Sequence, residues 1–136
     1  MPKVKKSSKK IKKVPEGRGI IKGRFSFNNT KFDLVKENGD ILTWVSAGSV
    51  DLGGTKKVTG TRKGTQTMAE KTAEEIIRRA AAFGIHNVKI EARGIGAGRD
   101  PALKRILREK SLNTEEIIDK TPLPHGGCRP RKRPRK

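Results

Sequence analysis

Apolar and polar side chains alternate along the start of the folded body. In the segment 20–27, IIKGRFSF, apolar or small residues fall on one face at a period of two, the pattern of a strand with one buried side. These predicted inward positions are Ile21, Gly23, Phe25 and Phe27. The segment 30–35, TKFDLV, repeats the alternation with Phe32 and Leu34 inward, and ILTWVS at 41–46 predicts a third strand.

Two short polar segments separate these strands. Asn28 and Asn29 predict a tight hairpin turn, because asparagine tolerates positive φ better than most residues. ENGD at 37–40 carries the Asn-Gly pair that is typical of a second tight turn. We therefore predict that the chain opens as an antiparallel meander of three strands.

A helical period replaces the strand period after residue 66. Thr67 and Glu70 have the spacing of a capping box, and Gly84 is placed to end the helix. The apolar stripe between them consists of Ala69, Ala73, Ile76, Ile77 and Ala80. The polar face holds two glutamate–arginine pairs at i,i+4, namely Glu74 with Arg78 and Glu75 with Arg79.

Three further elements complete the predicted order. NVKIEA at 87–92 predicts a strand with Val88, Ile90 and Ala92 inward. Asp100 and Pro101 predict the N-cap and first position of a second helix that runs to about Lys110. TEEIIDK at 114–120 predicts a last strand. The order βββ-α-β-α-β predicts an α/β fold, with a mixed β-sheet and two helices packed on it.

The segment 46–66 lacks apolar periodicity and is rich in Gly, Thr and Lys. It contains a near-tandem repeat, GTKKVT at 54–59 followed by GTRKGT at 60–65. We predict a long, exposed, basic loop, since unstructured loops of this length are usually functional or disordered. We interpret 54–59 as a duplication that lengthens the loop and that could be deleted without loss of folding.

Charge divides the chain into three parts. The 136 residues carry a formal net charge of +19 at pH 7. Residues 1–24 hold ten Lys or Arg against one acidic residue, and 126–136 hold six with no acid. This layout favours a polyanionic partner, because each cation that pairs with a phosphate releases condensed counterions. We predict a disordered basic arm at 1–18, a single domain at 19–120 that binds a polyanion such as RNA, and an extended, irregular basic tail at 121–136.

Few side chains are available for metal or catalytic chemistry. A structural zinc site normally takes four Cys or His ligands, whereas this chain has only His86, His125 and Cys128. The first predicted strand holds no acidic residue, which disfavours a metal-dependent nuclease. No apolar run approaches the ~20 residues that span a bilayer. We expect no enzyme activity, cofactor, metal, small-molecule substrate or membrane partner.

Gly94, Gly96 and Gly98 lie between a predicted strand and a predicted helix. Their G-x-G-x-G spacing differs from the G-x-G-x-x-G of dinucleotide-binding folds. The glycines could let the backbone approach a phosphate at the helix N-terminus, with Arg99 adding positive charge. They could equally serve a tight turn that needs positive φ. The sequence leaves both interpretations open.

Four ordered blocks resemble one known family. They are SFNNT at 26–30, WVSAG at 44–48, GIGAGRDPALKRI at 94–106 and TPLPHGGCRPRKRPRK at 121–136. They resemble the universal small-subunit ribosomal protein eleven (S-eleven) family in its bacterial or organellar form, over about residues 17–133. The resemblance implies a mixed α/β protein that binds small-subunit rRNA in the platform near the mRNA exit. The seventh, eighteenth and twenty-first small-subunit proteins would be its neighbours.

The resemblance also implies a set of RNA contacts at four places in the chain. They are the hairpin residues Asn28, Asn29 and Thr30; the loop residues Lys56, Lys57, Arg62 and Lys63; the glycine-turn residues Gly96, Gly98 and Arg99; and the tail residues His125, Arg129, Arg131, Lys132, Arg133, Arg135 and Lys136.

The sequence departs from the family pattern at three places. Gly126 stands where the family has Asn, Arg131 replaces a second proline, and the loop after Gly48 is longer by about one repeat unit. A different class of function also fits the charge, namely a non-specific nucleic-acid chaperone or DNA-compacting protein. The family interpretation leaves two compartments open, the cytoplasmic ribosome of a bacterium and a mitochondrial or plastid ribosome.

Overall fold

The computed structural model describes residues 17–50 and 57–133. Its strands are β1 (Arg18–Phe25), β2 (Thr30–Val35), β3 (Ile41–Ser46), β4 (Asn87–Gly94) and β5 (Asn113–Asp119). Its α-helices are α1 (Gln66–Phe83) and α2 (Arg99–Leu107), and a 3-10 helix spans Gly60–Gly64. The order confirms the predicted βββ-α-β-α-β arrangement. Apart from its last two residues, the predicted arm at 1–18 lies outside the described residues.

The five strands form one mixed sheet in the order β3-β2-β1-β4-β5. The β1–β2 and β2–β3 pairs are antiparallel, as short turns permit, whereas β4 runs parallel to both β1 and β5. Parallel neighbours need a long crossover connection, and α1 and α2 supply the two crossovers. The helices cover one face of the sheet, and no other described helix or strand covers the opposite face, which we call the open face.

The core lies between the sheet and the helices. The predicted inward residues of β1, β2 and β4 are buried, and so is the whole predicted stripe of α1. The rings of Phe25 and Phe32 meet edge to face, with centroids 5.6 Å apart. A Cβ on Gly23 would lie 2.8 Å from the Phe25 ring, so glycine makes room for this pair. Phe27 was wrongly predicted as inward: β1 ends at Phe25, and Phe27 is 73% exposed.

Both turns of the meander form where they were predicted, but by different means. Gly39 adopts φ 91° in the second turn, and the Lys36 N–H donates to the Asp40 carbonyl. The first turn closes without positive φ, since no described residue other than glycine adopts one. The prediction of positive φ at Asn28 and Asn29 is therefore wrong.

The helix ends differ from the predicted caps. α1 begins at Gln66 after Thr65, so Thr67 lies inside the first turn and the predicted capping box is wrong. The Thr65 hydroxyl instead donates to the Arg62 carbonyl, because the 3-10 helix leads directly into α1. Gly84 ends α1 with φ 75°, as predicted.

The second helix begins and ends earlier than predicted. α2 starts after Gly98, which places Asp100 and Pro101 in its first turn rather than at the N-cap and first position. It ends at Leu107 instead of near Lys110. The glycine turn therefore leads straight into the helix, because Gly98 already has helical backbone angles.

Tertiary structure redirects one predicted ion pair. Glu75 pairs with Arg79 at 2.9 Å as predicted, but Glu74 pairs with Arg105 of α2 at 3.0 Å instead of with Arg78. Burial raises the pKa of Glu75, yet hydrogen bonds from Arg79 and Arg78 outweigh it and lower that pKa below its ordinary value. The hydrogen bond to Glu74 raises the pKa of Arg105. Charged groups thus tie α1 to α2.

The segment 46–66 is more structured than predicted. Besides the 3-10 helix, it places Val50 and Val58 in the core, at 5% and 6% exposure. Residues 51–56 lie outside the described residues. Val58 of the first repeat copy corresponds to Gly64 of the second, so the two copies are not structurally equivalent. Among the described residues, no helix is long and apolar enough to cross a membrane.

Candidate RNA-binding surface

The turn between β1 and β2 lies at the centre of the candidate surface. The Ser26 N–H donates to the Asn29 carbonyl at 3.0 Å, and the Asn29 N–H donates to the Ser26 hydroxyl at 3.0 Å. Asn28 is exposed and Asn29 is half-buried. Thr30 is 2% exposed, and its carbonyl accepts a hydrogen bond from the Ala47 N–H. Of the three predicted hairpin contacts, Asn28 is thus the most accessible to a ligand.

The glycine turn at 94–98 packs against the end of β1. Gly94 has φ 105°, and a Cβ there would overlap the Phe25 carbonyl oxygen, while a Cβ on Gly96 would overlap that of Ser26. A Cβ on Gly98 would lie 2.5 Å from the Ala69 Cβ of α1. These glycines therefore allow close approach of the protein's own chain, and both Gly96 and Gly98 are buried.

The 3-10 helix contacts the other side of the same turn. A Cβ on Gly64 would overlap the Phe27 carbonyl oxygen, so this glycine is also required by close packing. Arg62 is exposed, and the stem of Lys63 lies over Gly48. Lys57 is exposed just before the helix, whereas Lys56 lies outside the described residues. The basic loop and the glycine turn thus flank the hairpin turn, although far apart in sequence.

Arg99 connects the glycine turn to the root of the tail. Its guanidinium donates to the Gly94 carbonyl at 3.1 Å and to the Asp119 carboxylate at 2.7 Å. Thr121 completes the network: its hydroxyl donates to Asp119 at 2.6 Å and accepts from the Gly94 N–H at 3.1 Å. These bonds, from Thr121 first and Arg99 second, lower the pKa of Asp119 to about 2. We call Arg99, Asp119, Thr121 and Gly94 the tail clamp.

The tail leaves the clamp as an exposed chain. Pro122 to Arg133 are all exposed, and the predicted contacts among them are His125, Arg129, Arg131, Lys132 and Arg133. None of these five side chains forms an ion pair with any described residue. Arg135 and Lys136 lie outside the described residues. The tail cations of the described part are therefore available to an external anion.

Gly126 adopts φ 59°, in the left-handed region. Asparagine is one of the few other residues that enters this region readily, so either residue can hold the same bend. The departure from the family pattern at this position is therefore explained by backbone conformation.

One group of basic residues was missed by sequence reasoning. Arg24 of β1 and Arg93 of β4 point away from the core on the open face, beside Lys31 of β2. Lys31 also lies over the half-exposed ring of Trp44, with its Nζ 5.4 Å from the ring centroid. The strand alternation could have revealed these basic residues, because the residues that alternate with inward-facing ones along a strand must face outward.

Fold, charge and surface together define a class of protein. A net charge of +19 on a small α/β domain, with tail cations that form no ion pair among the described residues, is typical of nucleic-acid-binding proteins. Within 17–50 and 57–133, no three His, Cys, Asp or Glu side chains are grouped to hold a metal ion. Cys128 is a free, exposed thiol.

Comparison with known proteins identifies the family. Residues 19–135 match the family described as Ribosomal protein S11. Small ribosomal subunit protein uS11 of Thermotoga maritima is 43% identical over 129 residues, covering 95% of this chain and 94% of that protein. The uS11 protein of Thermus thermophilus is 41% identical over 133 residues, covering 97% and 96%. That of Nautilia profundicola is 38% identical over 135 residues, covering 99% of each.

The chain therefore belongs to the ribosomal protein S11 family, and the resemblance of the four sequence blocks is confirmed. The family consists of structural ribosomal proteins and not of enzymes. The mixed sheet with two helices agrees with that family.

Proposed function

We propose that this protein is a structural constituent of the small ribosomal subunit that binds small-subunit rRNA in the platform, near the mRNA exit. It supports subunit assembly and translation without catalysing a reaction. Its protein neighbours are the seventh, eighteenth and twenty-first small-subunit proteins. The bacterial source of the related proteins favours the cytoplasmic ribosome of a bacterium over an organellar ribosome.

One observation carries this proposal. The family's hairpin, basic loop, glycine turn and tail root, which lie far apart in sequence, meet at one end of the sheet. We call this region the turn end; it comprises 26–29, 60–64, 94–98 and the clamp. Phosphate contacts from exposed arginines and lysines can position such a surface on folded RNA, and the extended tail adds contacts beyond it.

The tail provides the test. Deleting residues 122–136 keeps Thr121, so the clamp and the fold should remain while the tail cations are lost. We expect the truncated chain to melt at the same temperature as the full chain but to enter reconstituted small subunits poorly. A truncated chain that unfolds, or that assembles as well as the full chain, would contradict the proposal.

A scrambled tail separates this function from non-specific binding. A variant with residues 122–136 in shuffled order keeps the charge and removes the order of prolines and arginines. If the protein is a subunit constituent, the full chain should cosediment with small subunits at high salt and the shuffled chain should not. If it is a general chaperone or DNA-compacting protein, both chains should remain free or bound to DNA, with the same salt dependence.

A further inference from the structure

The last strand of the sheet is acidic in a strongly basic protein. β5 is one of the two edge strands, and its seven residues include three acidic side chains and no basic one. The acidic residues are Glu115, Glu116 and Asp119. The strand therefore has a charge opposite to that of the whole chain, which is +19. We call the unpaired side of this strand the β5 edge.

The β5 edge has free backbone groups. The Lys120 N–H donates to the Ala92 carbonyl at 2.8 Å, and the register between β4 and β5 is continuous from Glu116 to Asp119. Residues in phase with Lys120 therefore bond to β4, whereas Ile117 and Asp119 direct their N–H and C=O groups away from the sheet. Such a row of unpaired backbone groups is a template for an added strand.

The opposite edge of the sheet differs in this respect. The Arg79 guanidinium of α1 donates to the Trp44 carbonyl at 2.8 Å and to the Thr43 hydroxyl at 3.0 Å, so it lies across β3. Among the described residues, no side chain forms a hydrogen bond with the backbone of 113–118. An added strand would therefore meet free backbone groups at β5 and a bound guanidinium at β3.

The side chains of the β5 edge select the charge of an occupant. Glu115 lies 4.0 Å from Arg18, and Glu116 lies 3.7 Å from Lys89. Ion pairs this long and accessible to solvent contribute little, so both carboxylates are available to a further cation. The same carboxylates repel a phosphate backbone, and they repel the acidic β5 of a second copy. The charge therefore favours a cationic polypeptide over RNA or a homodimer.

The two faces of β5 differ in polarity. Ile117 pairs with the buried Ile90 and so lies on the helix-covered face, where it is 47% exposed. Glu116 pairs with Lys89 and lies on the open face. Side chains of an added strand alternate between these two faces. An occupant that matches both should therefore alternate apolar residues, beside Ile117, with basic residues, beside Glu116.

We propose that the β5 edge binds an extended segment of another small-subunit protein, in which Lys or Arg alternates with Val or Ile, as a sixth strand of the sheet. Backbone hydrogen bonds to Ile117 and Asp119 supply the affinity, and the carboxylates of Glu115 and Glu116 select a basic segment. This inference rests on the proposed function and deepens it, because it assigns a surface of this chain to a protein neighbour.

Binding of a model peptide by the purified full-length chain tests the edge. The probe is a fluorescein-labelled peptide of sequence KVKVKVK, and its control is KKKKVVV, which has the same composition without the alternation. We expect KVKVKVK to bind more tightly and to slow hydrogen exchange of the Ile117 and Asp119 N–H groups. The Ile118 N–H, which bonds to β4, should not change. Equal affinity of the two peptides, or unchanged exchange at Ile117 and Asp119, would overturn the proposal.

Two double variants separate the β5 carboxylates from general charge. Glu115→Gln with Glu116→Gln should weaken KVKVKVK binding about fivefold, because two exposed charge pairs are lost. The matched control is Glu37→Gln with Glu70→Gln, which removes the same charge from exposed positions outside β5. This control should change the affinity by less than about twofold, since separated surface charges are screened. Equal effects of the two double variants would contradict selection by the β5 edge.

Crosslinking in assembled small subunits identifies the occupant. Ser111→Cys on a Cys128→Ser background places a benzophenone maleimide at an exposed position just before β5. A crosslink to a segment of another ribosomal protein that is rich in Lys or Arg supports the proposal. A crosslink only to rRNA, to a second copy or to residues 1–16 of the same chain, or none, overturns it. Failure of the unlabelled chain to enter subunits would instead refute the proposed function, so the two failures are distinguishable.

Discussion

Arg99 donates a 2.7 Å hydrogen bond to Asp119, and this bond joins the glycine turn before α2 to the end of β5. The arginine also donates to the Gly94 carbonyl, so one side chain holds the end of β4 and the end of β5 together. Arg99 was predicted to contact RNA. Its side chain is 25% exposed, so it can still reach a ligand, but its hydrogen bonds give it a structural role in directing the tail.

Breaking the clamp should weaken RNA binding even though it makes the protein more positive. We expect Asp119→Asn to lower affinity for small-subunit rRNA, because the tail root is no longer fixed beside the turn end. Glu115→Gln removes one negative charge from the same strand and is the matched control. Filter binding at several salt concentrations measures both. If Asp119→Asn binds as tightly as Glu115→Gln, the clamp does not position the tail.

The clamp should resist acid. The pKa of Asp119 is lowered to about 2, so its contribution to stability is fully present above its unfolded pKa of about 3.9 and is lost as pH falls toward 2. Carboxyl NMR titration should therefore show Asp119 ionised throughout the neutral and mildly acidic range. Thr121→Val removes the strongest of the lowering hydrogen bonds and should raise this pKa. A midpoint that does not move would show that the hydroxyl is not the cause.

Gly98 should not accept a side chain. Gly98→Ala would place a Cβ 2.5 Å from that of Ala69, and we expect a loss of about 1–3 kcal/mol in the free energy of unfolding from overpacking. Ala69→Gly removes the obstructing methyl group, so the double variant should lose less than the sum of the two single variants. Urea denaturation measures the coupling. Strict additivity would mean that the glycine is not required for this contact.

The first repeat copy should be needed for the fold. Val58 is 6% exposed in the core, so Val58→Ala should cost about 1–3 kcal/mol, and deletion of 54–59 should cost at least as much. This expectation reverses the one drawn from the repeat pattern alone. Lys57→Ala, at the exposed neighbouring position, should leave the free energy of unfolding nearly unchanged. A deletion variant as stable as the full chain would restore the interpretation of a dispensable duplication.

Gly126 should tolerate asparagine but not a β-branched residue. Because φ is 59°, Gly126→Asn should preserve rRNA affinity, whereas Gly126→Val should strain the bend and weaken binding several-fold. The bend lies in the exposed tail, so neither substitution should change the melting temperature. Parallel measurements of affinity and melting temperature check this. Equal affinities of the two variants would show that the bend is not used.

Local patterns in the sequence were sufficient to predict the elements and, except for Phe27, the inward-facing residues named for them. Period-two alternation identified Ile21, Phe32 and Ile90, and the helical stripe identified Ile76, because these preferences depend on a residue's near neighbours in the chain. The cationic ends and the four motif blocks likewise identified the family. The first residues of the helices were harder to predict, since the segments that precede the helices place Thr65 and Gly98 at the N-cap positions.

Only the tertiary structure decided how distant residues meet. The sequence could not show that Gly64, Gly96 and the hairpin turn pack against one another, that Glu74 pairs with Arg105, or that Thr121 anchors the tail. It also could not show that Arg24 and Arg93 face each other, because the parallel pairing of β1 with β4 joins strands separated by two other strands and a helix. Local preference sets the elements, whereas packing and strand order set the surface that they form.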